Sequence, residues 1–355
     1  MKDRVYVCHT YYHAYISVLK ELNLAKEERG KATLILSRMS NDFGNLNSRA
    51  RESGLFEAVY EFDEKEDINF PELMKYHEDK GNIFLNMIYR IKYTKLLGKL
   101  QEPYVPVNFK EFKQIYVFCD SDPIGYYLSY KKIPYHAVED GLDCISTYDT
   151  ARYDNRGHFK LKSFLASLNL IFIQNGYAKY CIDMEVNNIA CLPYPIKKYI
   201  ERPRNELVNG VKKEDTKLLV SIFMDNLDKL EEQMQKQDKG KDSIMVLTEP
   251  LCDLETRKRL FHDIVNEYGK GCTVYIKPHP RDVLDYRKEF PDSIVIEGKF
   301  PMEIMNDIPN LRVKRLISVF TVVDSIHFAD EIIYLGEDFM DQYEDPMLHR
   351  QNEMI

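Results

Sequence analysis

Residues 115–141 read IYVFCDSDPIGYYLSYKKIPYHAVEDG. Two apolar, aromatic and β-branched runs stand in it, at 115–119 and 135–138, and both have strand character. Each stops at carboxylates: Asp120 and Asp122 follow the first, and Glu139 and Asp140 follow the second, just before Gly141. Acidic groups immediately beyond a strand's C-terminal end occupy the place where open α/β sheets put their ligand crevices.

Working outward, the same pattern repeats. Upstream, strands are expected at 5–8, 31–37 and 56–62, with a helical period from 14 to about 28 and a long, mixed helical stretch at 71–100. The segment 159–172 is again helical or mixed. Downstream, strands are expected at 218–223, 243–247, 273–276, 293–296, 316–319 and 331–335. Helices are expected at 227–237, 254–268 and 302–307, with a helix start at 321–328 and an acidic closing segment from Glu337. Strand alternating with helix at this spacing signifies parallel sheets covered on both faces. The segment 192–214, with Pro193, Pro195, Pro203 and Gly210 among many charges, reads as a linker. The expected organisation is an N-terminal α/β domain at 1–195, a linker at 196–214, a second α/β domain at 215–345 and a tail at 346–355.

Composition bounds the function. The chain has 355 residues, enough for two cores, and a 44% hydrophobic fraction that excludes global disorder. Its 49 basic and 57 acidic residues give a net charge of −8, which argues against a cationic surface that grips nucleic acid but leaves room for one basic cleft. No apolar run is long enough to span a membrane, and the start MKDRVYVCHTYYHAY lacks the apolar core and cleavage site of an export leader. Seven scattered cysteines without a C-x-x-C pair point to a reduced compartment, without a disulfide framework or structural zinc. A cytoplasmic protein is expected, with peripheral contact at the cytoplasmic face of the inner membrane and a homodimer left open. The 25 Tyr, against 18 Phe and no Trp, read mainly as amphipathic packing and surface residues, with Tyr11 and Tyr12 the exceptions.

Four segments carry candidate chemistry. The run KPHPRD at 277–282 follows an apolar strand, and its two prolines fix the backbone on either side of His279. Lys277 and Arg281 would neutralise a phosphate, and His279 could pass a proton to a departing phosphate oxygen; a strand-terminal turn with solvated charges is the bland alternative. In the triplet Glu139-Asp140-Gly141 one carboxylate could serve as a base, although Asp-Gly is also an ordinary turn. Ser318, Thr321 and Ser325 lie where a strand feeds a helix start, suited to a phosphate or to a plain cap. Thr248 and Glu249 follow another strand, and Asp253 is either a ligand to a sugar or nucleoside hydroxyl or a helix cap. His9, Tyr11 and Tyr12 follow the first strand and would face an acceptor. His9 and His13 have no carboxylate or cysteine at ligand spacing, so no metal is expected. No phosphate-binding glycine loop is present.

With these residues in place, the sequence resembles the bacterial lipooligosaccharide sialyltransferases of glycosyltransferase family 52. The likeness rests on Glu139-Asp140-Gly141, Thr248-Glu249-Pro250, the KPHPRD run and the hydroxyl-bearing segment 318–325. It implies two facing Rossmann-like domains with a cleft between them (the GT-B arrangement). It also implies a CMP-sialic acid donor, a terminal galactose of a surface glycan as acceptor, inverting α-2,3 transfer, and neither cofactor nor metal. His279 would be the acid and Asp140 the base, with Asp253 its rival. Lys277, Pro280, Arg281, Thr248, Glu249, Ser318, Thr321 and Ser325 would hold the donor, and His9, Tyr11, Tyr12, Glu139 and Gly141 the acceptor. The Asp120-x-Asp122 pair is of the kind metal-dependent glycosyltransferases use, but it is common elsewhere. The hydroxyls at 318–325 are more widely spread than is usual in the family, with Phe320 before Thr321. A capsule or teichoic-type transferase with a CDP- or UDP-linked donor, and a non-catalytic carbohydrate- or nucleotide-binding protein of the same fold, are the alternatives.

Overall fold

A computed structural model describes residues 1–236, 240–279, 282–296, 298–321, 323 and 326–349. The chain divides into two compact units, Met1–Asp215 and Thr216–Ile355.

The first unit is built on seven parallel strands: β1 (Lys2–Cys8), β2 (Ala32–Ser37), β3 (Phe56–Phe62), β4 (Phe112–Phe118), β5 (Tyr135–Val138), β6 (Cys181–Val186) and β7 (Tyr199–Glu201), in the order β3-β2-β1-β4-β5-β6-β7. Its helices are α1 (Tyr11–Leu22), α2 (Leu46–Glu52), α3 (Ile83–Leu100), α4 (Pro123–Lys131), α5 (Cys144–Thr147), α6 (Thr150–Tyr153), α7 (Phe159–Ser167) and α8 (Arg204–Asn209). Every residue of β2 is buried, as expected of an interior strand covered on both faces. The strand order reverses between β1 and β4, so the loops after these two strands diverge and leave a crevice. Gly125 fits α4 against the turn after β4: a Cβ there would lie 1.9 Å from the Asp120 carbonyl oxygen.

The second unit contains α9 (Thr216–Phe223), α10 (Leu227–Gln235), β8 (Ser243–Leu247), α11 (Leu254–Tyr268), β9 (Thr273–Lys277), α12 (Tyr286–Glu289), β10 (Ile294–Val295), β11 (Val313–Ser318), β12 (Ala329–Tyr334), α13 (Gly336–Met340) and α14 (Pro346–His349). Its five strands are parallel, in the order β10-β9-β8-β11-β12, and the reversal falls between β8 and β11. Two doubly wound α/β units are therefore present.

Three expectations are corrected. The stretch 196–214 is folded into the first unit, not a linker: β7 pairs with β6, and Asn23 Nδ2 donates to the Leu207 carbonyl of α8 at 2.8 Å. Arg29 also pairs with Asp215 at 2.9 Å. Residues 218–223 form a helix, because burial of Leu219, Val220, Ile222 and Phe223 follows a helical stripe and not a two-residue alternation. The described residues of 321–328 contain no helix.

Candidate active site

β1 ends at Cys8, and the chain turns at once into α1. Thr10 caps this helix, its Oγ1 accepting the His13 N–H at 3.2 Å. His13 returns the favour, its Nδ1 accepting the backbone N–H groups of His9 (3.0 Å) and Thr10 (3.3 Å). A ring nitrogen that accepts such bonds carries no proton, so neutral His13 holds its proton on Nε2. Burial lowers its pKa and favours that neutral form.

His13 Nε2 donates to Asp140 Oδ1 at 2.6 Å and lies 2.8 Å from the Asp140 carbonyl. The Cys119 thiol, just beyond β4 on a left-handed residue (φ 52°), donates to the same Oδ1 at 2.7 Å. The His13 hydrogen bond outweighs partial burial and holds the Asp140 pKa at about 2. Asp140 is thus an ionised carboxylate fixed through one oxygen while its side chain remains 53% exposed.

A second group lies beside it. His9 Nε2 meets Glu64 Oε2 at 2.8 Å and Asp122 Oδ2 at 3.3 Å. Burial opposes a charge on His9, but the Glu64 carboxylate, aided by Asp122, more than offsets it and raises the pKa to about 9. Glu64 also accepts from Ser37 Oγ (2.7 Å) and from the Ile124 N–H (2.6 Å), tying the ends of β2 and α4 to the residue after β1. Burial first, then nearby acids that outnumber His9, push the Asp122 carboxyl up to about 7.

One ring nitrogen from each of His9 and His13 lies with Cys119 Sγ inside a 4.8 Å cluster. Its donor chemistry does not fit a metal ion, because His13 Nδ1 is occupied by two N–H groups and Nε2 carries the proton. Nor do Asp120 and Asp122 converge: Asp120 is buried against the Tyr135 hydroxyl (2.9 Å) and the Asn175 N–H (2.9 Å).

The other first-unit candidates divide. Glu139 is buried and accepts the Asn187 N–H at 2.7 Å, so it braces the loop after β6 instead of facing an acceptor. His9 is buried as well. Tyr11, Tyr12 and Gly141 are half-buried, with the Tyr11 hydroxyl donating to the Asp42 carbonyl at 3.2 Å. Glu64 and Cys119 were not singled out from sequence. Glu64 was hidden in an acidic run, although its place two residues beyond β3 was a usable signal.

In the second unit, Asp282 organises the loop after β9. Its buried carboxylate accepts from Arg257 Nη1 (2.7 Å), Tyr286 (2.8 Å) and Thr248 Oγ1 (3.4 Å), and Thr248 Oγ1 in turn accepts the His279 N–H at 3.1 Å. His279 is half-buried. Lys277 does not offer its charge to a ligand: Nζ is buried, donates to the carbonyls of Pro278 and Gly298 at 3.0 Å each, and lies 4.4 Å from the Phe300 ring centre. Burial lowers its pKa to about 8.

At the β8–β11 switch point, Glu249 Oε1 accepts the N–H groups of Phe320 and Thr321 at 2.9 Å each and lies 3.3 Å from Ser318 Oγ. Ser318 is buried and donates to the Thr321 carbonyl at 2.8 Å. The donors expected for a phosphate are therefore turned onto a protein carboxylate. Asp253 is the N-cap of α11: Oδ1 accepts from the N–H groups of Glu255 (3.0 Å) and Thr256 (3.1 Å), and Oδ2 from Thr256 Oγ1 (2.7 Å). Pro280, Arg281 and Ser325 lie outside the described residues.

The family model described as Glycosyltransferase family 52 matches residues 63–329. Among solved structures, the chain is similar to a sialyltransferase from Photobacterium damselae, over residues corresponding to its GT-B domain. Identity is 14%, with 99% of this chain and 97% of that one covered and a TM-score of 0.51, a likeness of fold. A 2,6-sialyltransferase from Photobacterium sp. JT-ISH-224, solved in a ternary complex with the donor product CMP and the acceptor substrate lactose, is 12% identical. That match covers 94% of this chain and 71% of that one at a TM-score of 0.48. An uncharacterized protein of Haemophilus influenzae is 28% identical over 100 residues, 27% of this chain and 32% of the relative's length.

Proposed function

The chain belongs to glycosyltransferase family 52, and on that premise we propose that it transfers sialic acid from CMP-sialic acid to a terminal galactose of a surface glycan, inverting the anomeric centre to an α-2,3 link without a metal or cofactor. The acceptor hydroxyl attacks the anomeric carbon, its proton passes to Asp140, and the bond to the CMP phosphate breaks with His279 supplying a proton to the departing oxygen. A nucleoside monophosphate leaving group carries less charge than a diphosphate, so a histidine and a few fixed donors can meet it.

The observation that carries this reading is the Asp140 carboxylate, ionised and anchored through Oδ1 by His13 and Cys119 while half its side chain stays open to solvent. Asp253 is the weaker choice, since both of its oxygens are engaged in capping α11. Donor turnover decides the matter. CMP-sialic acid, CDP-glycerol and UDP-linked sugars are compared with a galactoside acceptor, on the wild-type chain and on His279→Ala. Transfer from CMP-sialic acid alone, lost in His279→Ala, is expected. Turnover of a CDP- or UDP-linked donor instead, nucleotide binding without turnover, or full activity in His279→Ala would overturn the reading.

A further inference from the structure

Two neighbouring helices of the first unit turn apolar side chains outward. On α3 these are Phe84 (78% exposed), Leu85 and Ile88; on α7 they are Leu161 and Phe164 (59% exposed), with Leu168 just beyond its C-terminal end, at the i, i+3, i+7 spacing of one helix face. The inward sides meet in one apolar cluster, where Met87 and Ile91 of α3 join Leu165 and Ala166 of α7. A helix facing water would carry polar residues on its outer side. Here the outer sides carry large apolar side chains beside their lysines.

Charge and aromatic character complete the face. α3 has no acidic residue, and its Lys92 and Lys99 are exposed, as are Lys160 of α7 and Arg156 shortly before it. Tyr148 and Tyr153, on the stretch joining the Asp140 loop to α7, are half-exposed with ring centres 4.9 Å apart, and Arg156 lies 5.0 Å from the Tyr153 ring centre. The nearby acids Glu78 and Asp79 are engaged by Lys80 and Asn86. In a chain of net charge −8, this is a local reversal of sign.

Protruding Phe and Leu, half-immersed Tyr and flanking cations together match the interfacial layer of an anionic bilayer. A second copy fits less well, since like faces would bring cations against cations. No helix among the described residues is long and apolar enough to cross a membrane, so this contact lies on the surface. We propose that the α3–α7 face docks the protein on an anionic phospholipid bilayer, with Phe84 and Phe164 inserted and Lys92, Lys99 and Lys160 against the headgroups. This goes beyond the proposed transfer reaction and does not depend on it.

The test is sedimentation of the full chain with vesicles of equimolar phosphatidylglycerol and phosphatidylcholine, against phosphatidylcholine alone. Binding to the anionic vesicles, weakened by salt, is expected. Phe84→Ser with Phe164→Ser should cut partitioning by about tenfold at an unchanged unfolding midpoint. Lys92→Glu with Lys160→Glu should abolish the preference for phosphatidylglycerol, which keeps the test open if the first pair does not fold. No sedimentation with anionic vesicles, binding by both double variants equal to wild type, or loss of self-association in the Phe pair without any vesicle binding would each overturn the proposal.

Discussion

His13 Nε2 lies 2.6 Å from Asp140 Oδ1 across 127 residues of sequence. The contact joins the first turn of α1 to the loop after β5, and its polarity is set by the helix cap: because Nδ1 accepts the N–H groups of His9 and Thr10, only Nε2 can donate. Local helix chemistry thus fixes the protonation of a residue that orients the candidate base.

His13→Ala should therefore act through Asp140. The wild-type carboxyl, held at about 2 chiefly by the His13 bond, stays ionised throughout ordinary working pH. Without His13 its pKa should rise toward the ordinary carboxylate value of about 3.9. The acid limb of the pH–rate profile should then move up, with a fall in kcat and little change in KM. A uniform loss at all pH values with an unmoved limb would assign His13 to the helix cap alone.

Asp140→Ala and Asp253→Ala should separate cleanly. The first should lose transfer by about 10²–10⁴-fold with its unfolding midpoint near wild type, since Asp140 is half-exposed. The second removes a satisfied cap, so the midpoint should drop while most transfer survives. The reverse result would move the base to Asp253.

The positions of these groups were legible in the sequence, but their partners were not. A carboxylate after an apolar strand announces itself, as Asp140 did. Nothing local says that Cys119 and His13 converge on it, or that Lys277 turns back onto two carbonyls. The missed strand β6, CIDMEV, shows the same limit. Asp183 and Glu185 break its apolar run, yet they are answered by His136 at 2.8 Å and Lys20 at 2.6 Å, and Lys20 lies 165 residues from its partner. The strand expected at 218–223 is a helix for another reason: a short apolar run has no period of its own, and only packing decides between strand and helix.

His9 should make stability depend on pH. Its folded pKa of about 9 exceeds the unfolded value of about 6.5. The stabilisation from its pairing with Glu64 is therefore complete below about pH 6.5 and is lost as pH rises through about 9. The gap in thermal midpoint between wild type and His9→Gln should be widest near pH 6 and shrink toward pH 10. A gap constant over that range would mean that His9 packs without carrying charge.

Arg257 of α11 and Asp282 of the loop that presents His279 form a buried pair, with side chains only 8% and 0% exposed. Removing one partner strands the other charge in a poor solvent for it. Arg257→Met should cost about 3–5 kcal/mol, read by denaturant unfolding of the second unit. Asp282→Asn, which keeps one acceptor oxygen and puts an NH2 donor in place of the other, should cost less. Equal losses would show that the hydrogen bonds to Thr248 and Tyr286 matter more than the charge pair.

Glu249 presents the sharpest choice about donor binding. Its Oε1 holds the N–H groups of Phe320 and Thr321, the very donors a phosphate would seek. If that arrangement persists with donor bound, Glu249→Ala takes the carboxylate from two N–H groups at a half-buried turn and should destabilise the second unit by about 1–3 kcal/mol. Affinity for CMP should then stay level or rise, because an anion near the phosphate has been removed. If instead the carboxylate contacts the nucleotide, affinity should fall while the unfolding midpoint barely moves. Titration calorimetry with CMP alongside thermal unfolding distinguishes a carboxylate that braces the switch-point loop from one that reads the ligand.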